Sequence, residues 1–217
     1  MPIPQSPEIV TGDRLAPPPG AVDLTAEAGR VLGLVGPAGS GLTRLGLSLL
    51  VPPSKHAPVA AVDVRGWLCP MAAWEVGIDP ERLVVVRSPD RQVWPSLVAA
   101  LLEGLPAVYA EVPAGVGDHD LRRLAALARA RSSALVLRPV RGDLPAGVLH
   151  LKVEAAAVMW EGTDAGHGRL GRRRLALRAS GRGARGIERE IEVTDDGADA
   201  VRVVPRLAPA PPGQAAG

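Results

Sequence analysis

The residues whose types and spacing could do chemistry begin with a glycine-rich segment between two apolar stretches. The strand-like run Val31–Val35 precedes it, and an apolar run predicted to be helical to about Leu50 follows it. A strand, a glycine-rich turn and a helix in that order can cradle phosphate groups with backbone N–H groups. The phosphate-binding pattern G-x-x-x-x-G-K-[ST] fits at every specified position except the lysine, which is Leu42 here. The eight residues of this loop are Gly36, Pro37, Ala38, Gly39, Ser40, Gly41, Leu42 and Thr43.

Two interpretations of this loop remain open from the sequence. The backbone N–H groups could bind a nucleotide, with Thr43 holding Mg²⁺ and ATP as the cofactor. Alternatively, the loop keeps its turn only because a strand followed by a helix requires it. The lysine normally contributes much of the phosphate affinity, so its replacement by Leu42 favours the second interpretation. We therefore expect no cofactor, with Mg·ATP as the alternative.

Two carboxylates lie where a parallel sheet would place a functional site. Asp63 and Glu111 stand near the carboxyl ends of the predicted strands 59–64 and 107–112, and open α/β sheets bind ligands at that edge. Carboxylates there can equally cap helices or pair with arginines, and Arg65 is close enough in sequence to be such a partner. The sequence leaves a remnant nucleotide site and a structural ion pair equally open.

An arginine-rich segment carries the most concentrated charge of the chain. Arginines beside glycines suit phosphate backbones, but a solvated strand edge or an acidic protein partner explains them as well. No aromatic residue lies within the segment, which disfavours base stacking. The candidate DNA or partner contacts are Arg169, Arg172, Arg173, Arg174, Arg178, Arg182, Arg185 and Arg189.

The elements that must position these residues alternate between strand and helix patterns through residue 140. That alternation predicts an α/β fold, with a mostly parallel sheet flanked by helices and right-handed crossovers. Strand patterns without helices follow, which predicts an antiparallel C-terminal extension. We expect a Pro-rich lead-in over 1–20, one core domain over 21–205, and a low-complexity, disordered tail over 206–217.

Several local features follow from turn and capping signals. The pair Pro52-Pro53 is expected to stop the first helix, and Asp118 or Asp120 is expected to cap the last one. An edge strand or hairpin is expected within 21–28. After residue 140 we expect separate strands over 148–153 and 156–160.

The large aromatic side chains are few, because the chain has four Trp, one Tyr and no Phe. Trp67, Trp74, Trp94 and Trp160 are expected to lie in the core, with Trp67 the most exposed because it follows a strand-end loop.

Composition excludes some classes of protein and leaves others. The formal charge of +2 on 217 residues is too small to imply nucleic acid by itself. The single Cys69 forms no internal disulfide, which fits a reducing compartment, and the four His have no metal-ligand spacing, so no metal site is expected. The opening residues do not resemble a signal peptide, and no long uncharged apolar run is present. We expect a cytoplasmic protein with no membrane contact.

Between about Gly29 and Val193 the chain resembles the RecA ATPase core, and more narrowly the RecA-like ImuA accessory proteins of bacterial mutagenic DNA repair. The resemblance rests on the loop GPAGSGLT, the strand end VAAVDVRG and the segment GIDPERLVVVR. It extends over LPAVYAEVPAG, DLRRLAALARARSSALVLRPV and the basic strand RRRLALRASGRG. An ABC-type subunit is set aside because no LSGGQ-like signature follows the loop.

The resemblance implies a RecA-like P-loop core whose hydrolytic residues have changed. Aligned with active members, the slot of the general base holds Arg65, with Asp63 retained two residues earlier. The metal-associated acid of the later strand is Glu111. Together with Leu42, these changes imply a protein that does not hydrolyse ATP, because phosphoryl transfer depends on positioning and charge neutralisation.

The resemblance also implies partners. It predicts an accessory protein of the SOS response to DNA damage, which bridges an ImuB-like Y-family polymerase homologue and a DnaE-type polymerase during translesion synthesis and mutagenesis. The contacts would run through the basic edge (172–189) and the C-terminal tail, with DNA as an alternative ligand of the arginine-rich segment. Two other functions stay open: a weak DNA-associated P-loop ATPase, with Thr43 and Glu111 on Mg²⁺, and a RecA-like cell-division inhibitor.

Overall fold

A nine-stranded sheet forms the centre of the fold. The computed structural model describes residues 24–145, 147–161, 172–185, 189–195 and 202–204. The predicted lead-in 1–20 and tail 206–217 lie outside these ranges. The strands are β1 Val31–Val35, β2 Val59–Asp63, β3 Leu83–Arg87, β4 Ala107–Val112, β5 Ala134–Pro139, β6 Leu151–Glu161, β7 Arg172–Ser180, β8 Arg189–Asp195 and β9 Arg202–Val204. The helices are α1 Leu42–Ser48, α2 Val51–Ser54, α3 Pro70–Glu75, α4 Trp94–Gly104 and α5 Asp118–Arg131.

The strand order is β3-β2-β4-β5-β1-β6-β7-β8-β9, which places β1 inside the sheet. All pairs from β3 to β6 are parallel, and the three pairs from β6 to β9 are antiparallel. The α/β class, with a mostly parallel sheet and an antiparallel C-terminal extension, is therefore confirmed. The alternation of strands and helices predicted it because parallel neighbours need crossover connections.

Apolar clusters cover both faces of this sheet. On one face the side chains of α1 and α3 pack against alternate residues of the strands, such as Leu32 and Leu34 of β1. On the other face α4 and α5 pack against the intervening residues, such as Val31. The buried stripe of α5 is the predicted one: Leu121, Leu124, Ala125 and Ala128.

Two of the predicted helix boundaries are wrong. Pro52 and Pro53 do not stop the first helix; α1 already ends at Ser48, and both prolines begin the short helix α2. Proline is tolerated in a first turn because the N–H it lacks would have no intrahelical acceptor there.

The predicted cap of the last helix is also wrong. Neither Asp118 nor Asp120 caps α5; Gly117 holds that position without a side-chain hydrogen bond. Both aspartates lie in the first turn instead, where negative charge interacts favourably with the helix dipole.

Two strand predictions need correction. Residues 24–28 of the predicted edge strand 21–28 form no strand. The two strands predicted over 148–153 and 156–160 are one strand, β6, in which the register with β7 shifts between Ala155 and Ala157. This β-bulge interrupts the alternation of side chains, which explains why the sequence pattern suggested a break.

The four tryptophans do not all lie in the core, contrary to the expectation from the sequence. Trp94 is fully buried, and Trp67 is 73% exposed as predicted. Trp74 and Trp160, however, are 45% and 47% exposed. Leu, Val and Ala supply most of the core instead, and three of the four Trp side chains stay available at the surface.

Candidate functional site

The glycine-rich loop joins β1 to α1 and contains two left-handed glycines. Gly39 has a φ of 79° and Gly41 a φ of 81°, a region that is unfavourable for residues with a Cβ. Ser40 closes the turn, because its backbone N–H and its hydroxyl both donate to the carbonyl oxygen of Pro37, at 3.3 and 2.7 Å. The predicted strand–loop–helix order is present, and one loop N–H is already bound within the loop.

Leu42 is the first residue of α1, and its side chain is fully buried. It belongs to the apolar cluster on the α1 face of the sheet. Its Cδ1 lies 2.9 Å from the position that a Cβ on Gly36 would take, so it packs against the start of the loop. The residue that replaces the phosphate-binding lysine is therefore a core residue.

A cation reaches the loop from another strand. The guanidinium carbon of Arg173, on β7, lies 2.6 Å from the position that a Cβ on Gly41 would take. The same carbon lies 5.5 Å from the ring centroid of Trp160, which pairs with Arg173 across the two strands. Cation–π contact at this distance helps to hold the side chain. Arg173 thus covers the loop near the missing lysine.

The hydroxyl of Thr43 is bound by a buried arginine. Arg138 Nη1 donates to Thr43 Oγ1 at 2.6 Å and lies 3.6 Å from Glu111 Oε1. Arg138 is 5% exposed, at the end of β5. A guanidinium therefore occupies the space between the threonine and the acid that the nucleotide interpretation assigned to Mg²⁺.

Both carboxylate oxygens of Glu111 accept hydrogen bonds. Its Oε2 accepts from the backbone N–H groups of Val64 and Arg65, at 3.1 and 3.3 Å. Its Oε1 accepts from the Arg65 guanidinium through Nε, at 3.1 Å, and through Nη2. The hydrogen bond with Glu111 raises the pKa of Arg65 more than burial lowers it. The ion pair that the sequence left open is present, and Arg65 forms it with Glu111 and not with Asp63.

Asp63 has a different role from Glu111. Its carboxylate accepts from the backbone N–H groups of Gly66, Trp67 and Leu68, at 2.8, 3.2 and 3.0 Å. Arg87 lies 3.5 Å from its Oδ2. Asp63 thereby fixes the loop after β2. Asp63 and Glu111 each bind neighbouring backbone N–H groups, and they do not face a shared vacant site.

The side chain of Tyr109 lies between α1 and the charged groups of Arg138 and Glu111. It is fully buried on β4, and burial raises its pKa more than the nearby Arg138 lowers it. Its ring lies so close to α1 that Cδ2 is 2.6 Å from the position that a Cβ on Gly46 would take. The absence of a side chain at Gly46 is what allows this approach.

The described arginines of the arginine-rich segment are spread along the whole length of β7 and the turn after it. Arg173 lies near the loop, at the carboxyl end of β6, whereas Arg182 and Arg185 lie beyond the other end of β7. Nine residues of extended strand span roughly 30 Å. Arg174 and Arg178 lie between these ends. Arg169 and the side chains of Arg172 and Arg189 lie outside the described residues.

The sequence analysis missed Arg138 and Tyr109. The signal for Arg138 was a single charged residue in an otherwise apolar predicted strand, ALVLRP, since a buried arginine requires a partner. No comparable signal marked Tyr109. Within the described residues, no group of three metal-ligating side chains is found, and no helix there is long and apolar enough to cross a bilayer.

Among the described residues, exposed large apolar side chains cluster in two places. Trp67, Met71 and Trp74 lie within a span of eight residues in the segment between β2 and the end of α3, and Met71 is 56% exposed. The second place is the end of β6, where Val158, Met159 and Trp160 are 36%, 49% and 47% exposed. We refer to these as the α3 surface (Trp67, Met71, Trp74) and the β6 surface (Val158, Met159, Trp160).

The fold and the site thus define an α/β protein with a glycine-rich loop between β1 and α1. Residues 27–146, more than half of the chain, match the family of the MT3502 N-terminal domain. The chain belongs to that family. A search of curated proteins finds no match.

Proposed function

We propose that this chain is a non-catalytic RecA-like accessory protein of a damage-inducible translesion DNA synthesis complex. In this proposal it acts in the cytoplasm and bridges an ImuB-like Y-family polymerase homologue and a DnaE-type polymerase. The resemblance supplies the names of the partners. The arrangement around the loop and the exposed apolar surfaces supply the physical support.

The observation that carries the non-catalytic part is the contact between Arg138 and Thr43. Phosphoryl transfer needs a metal ion between the threonine hydroxyl and an acid, and a cation on the transferred phosphate. Here Arg138 Nη1 lies 2.6 Å from Thr43 Oγ1 and 3.6 Å from Glu111 Oε1, and Leu42 is buried in the core. Arg138 thus takes the place of the metal ion and the buried Leu42 that of the cation, so both positions hold side chains that stabilise the fold.

The two exposed apolar surfaces support a bridging role. Trp, Met and Arg are enriched at the centres of protein interfaces, and both surfaces contain Trp and Met. In the α3 surface Arg65 stacks on Trp67 at 4.8 Å, and in the β6 surface Arg173 stacks on Trp160. The α3 surface follows β2 in the chain and the β6 surface lies on β6. These two strands are four positions apart in the sheet, roughly 20 Å. Two separate surfaces suit two separate partners.

The test is an affinity pull-down from DNA-damaged host cells, with nuclease added and mass spectrometry as the readout. Recovery of a Y-family polymerase homologue or a DnaE-type polymerase is expected. The double variant W67A/W74A should lose one of the two. The control V84A/V93A truncates exposed apolar residues outside both surfaces and should retain both. Recovery of division proteins, or of nothing, would contradict the proposal.

One observation favours a weak DNA-associated ATPase as a second candidate. Arg173 brings a positive charge to the loop from β7, and this could substitute for the lysine. Titration calorimetry with Mg·ATP on the wild type and on Arg173→Gln distinguishes a chain that binds ATP with the help of Arg173 from one that does not bind ATP. Absence of heat in the wild type removes this candidate, whereas binding that Arg173→Gln abolishes supports it. Leu42→Lys is a poorer test because it places a charge at a fully buried position.

A further inference from the structure

A cavity lies at the opposite end of β1 from the glycine-rich loop. Its volume is about 480 Å³, and its polar lining comprises Arg30, Arg129, Ser132, His150 and Arg182. A neighbouring cavity of about 220 Å³ shares Arg30, His150 and Arg182 and adds Arg185 and Glu27, the ion-pair partner of Arg30. The five residues of β1 separate this end of the sheet from the loop by roughly 16 Å.

The turn after β7 is built to present Arg182 there. The backbone N–H of Gly183 donates to the carbonyl oxygen of His150 at 2.8 Å. A Cβ on Gly181 would lie 2.9 Å from that oxygen, and one on Gly183 would lie 3.0 Å from His150 Nε2. Gly181, which has a φ of 102°, therefore needs to be glycine, and the close approach fixes the 3-10 turn Arg182–Ala184 at the rim of the cavity.

The charges around the cavity are unbalanced. Arg30 pairs with Glu27 at 2.5 Å. Among the described residues, Arg129, Arg182 and Arg185 have no carboxylate within ion-pair distance. Arginines gathered around one concave surface without counter-charges bind anions, and their planar fork matches the oxygens of a phosphate.

His150 contributes a neutral polar side chain to the lining of both cavities. Its Nε2 is bonded to Arg30 Nη1. Burial lowers the pKa of His150, and the charges of Arg30 and Arg182 lower it further. The ring therefore stays neutral near pH 7 and accepts from Arg30, which fixes the position of that guanidinium.

From this arrangement we infer that the cavity binds the phosphodiester backbone of a nucleic-acid strand, with Arg129 and Arg182 as phosphate ligands. Arg185 in the neighbouring cavity extends the row of cations, which suits successive phosphates rather than one. The large exposed apolar residues of the described chain lie elsewhere, so the cavity lacks the apolar anchors of a protein interface. The inference does not depend on the polymerase partners proposed above.

The position of Arg129 in α5 determines which groups can bind the anion. Arg129 lies in the last turn of this helix, where the backbone carbonyls carry partial negative charge. These carbonyls oppose an anion, so binding depends on the arginine side chains. Removing these side chains should therefore weaken binding strongly.

The test uses the full chain, a short fluorescein-labelled oligothymidylate and fluorescence anisotropy at several salt concentrations. The variant R129Q/R182Q should weaken binding at least about tenfold. It should also reduce the slope of log affinity against log salt by about 1.4, since each contact with a single strand contributes about 0.7. The control R122Q/R141Q removes the same charge from two exposed arginines outside the cavity and should change affinity less than about twofold.

Three kinds of result would overturn the inference. The first is the absence of specific binding, seen either as no binding at low salt or as an equal loss of affinity in both double variants. The second is displacement of the oligonucleotide by polyglutamate as efficiently as by unlabelled strand, which assigns the cavity to an acidic protein. The third is displacement by pyrophosphate at equal phosphate concentration, which assigns it to a small phosphate compound. Competition by unlabelled strand alone supports the inference.

Discussion

Arg138 Nη1 donates a hydrogen bond of 2.6 Å to Thr43 Oγ1 and joins β5 to the first turn of α1. The same guanidinium lies beside Glu111, which also binds Arg65. Two buried or nearly buried cations therefore share one buried carboxylate. Such a cluster is stable only while the charges compensate, because an isolated buried charge is expensive.

Glu111→Gln removes the only carboxylate of this cluster. It should lower the free energy of unfolding by about 3–5 kcal/mol, because Arg138 and Arg65 lose their counter-charge. Urea unfolding followed by circular dichroism measures this loss.

The matched control is Glu103→Gln. Glu103 pairs with Arg131 at 3.7 Å on the surface, with both side chains more than half exposed, so the loss should stay below about 1 kcal/mol. Equal losses in the two variants would refute the account of the cluster.

Gly46→Ala should destabilise the protein by about 1–3 kcal/mol, since the new methyl group would overlap the buried ring of Tyr109. Better helix propensity favours alanine by up to about 1 kcal/mol and does not offset the overlap. Thermal unfolding of the variant tests this.

Gly104→Ala serves as its counterpart, because a Cβ there meets nothing within 4 Å. It should be neutral or slightly stabilising, by up to about 1 kcal/mol. A destabilisation as large as that of Gly46→Ala would mean that the loss at Gly46 does not arise from overlap with Tyr109.

Trp67→Ala should leave stability within about 0.5 kcal/mol of the wild type, because the side chain is largely exposed. Trp94→Ala should cost about 3–5 kcal/mol, since it opens a cavity and removes the hydrogen bond from Nε1 to the carbonyl oxygen of Glu111. Denaturant midpoints of the two variants give the comparison. A large loss for Trp67→Ala would mean that it supports the fold and is unsuitable as a binding residue.

Acidification should destabilise the protein through His150. Its pKa in the folded state lies below the ordinary value of 6.5, through burial first and the charge of Arg30 second. The unfolded chain therefore binds more protons than the folded one as pH falls through 6.5 towards the folded pKa. By linkage, stability falls over that window and is unaffected by this group above it.

The measurement is the free energy of unfolding between about pH 5 and 8. His150→Gln should flatten the dependence, whereas His119→Gln, which removes an exposed histidine on α5, should retain it. The same slope in both variants would refute the assignment to His150.

Local patterns were sufficient for the parallel part of the fold. The buried runs at Val59–Asp63 and Ala107–Val112 and the stripe from Leu121 to Ala128 coincide with observed elements. Each is a feature of neighbouring residues along the chain. The loop between β1 and α1 was predictable for the same reason, because its glycines meet a local conformational requirement.

The contents of the site were less predictable because they depend on distant strands. Thr43 meets Arg138 from β5, and Gly41 meets Arg173 from β7. Whether Arg65 would pair with Asp63 or Glu111 depended on the adjacency of β2 and β4, which no spacing in the sequence encodes. The bulge in β6 hid its continuity, because one extra residue reverses the alternation that a pattern search relies on.

The sheet order also shows that the sequence family and the folding unit have different limits. The matched region ends at residue 146, before β6 begins. A fragment cut there would leave β1 as an edge strand with unpaired backbone groups, and it would uncover the α1 face that Leu175 and Leu177 of β7 help to close. The segment after residue 146 is thus part of the cooperative core. The smallest piece of this chain able to fold by itself must extend at least through β7.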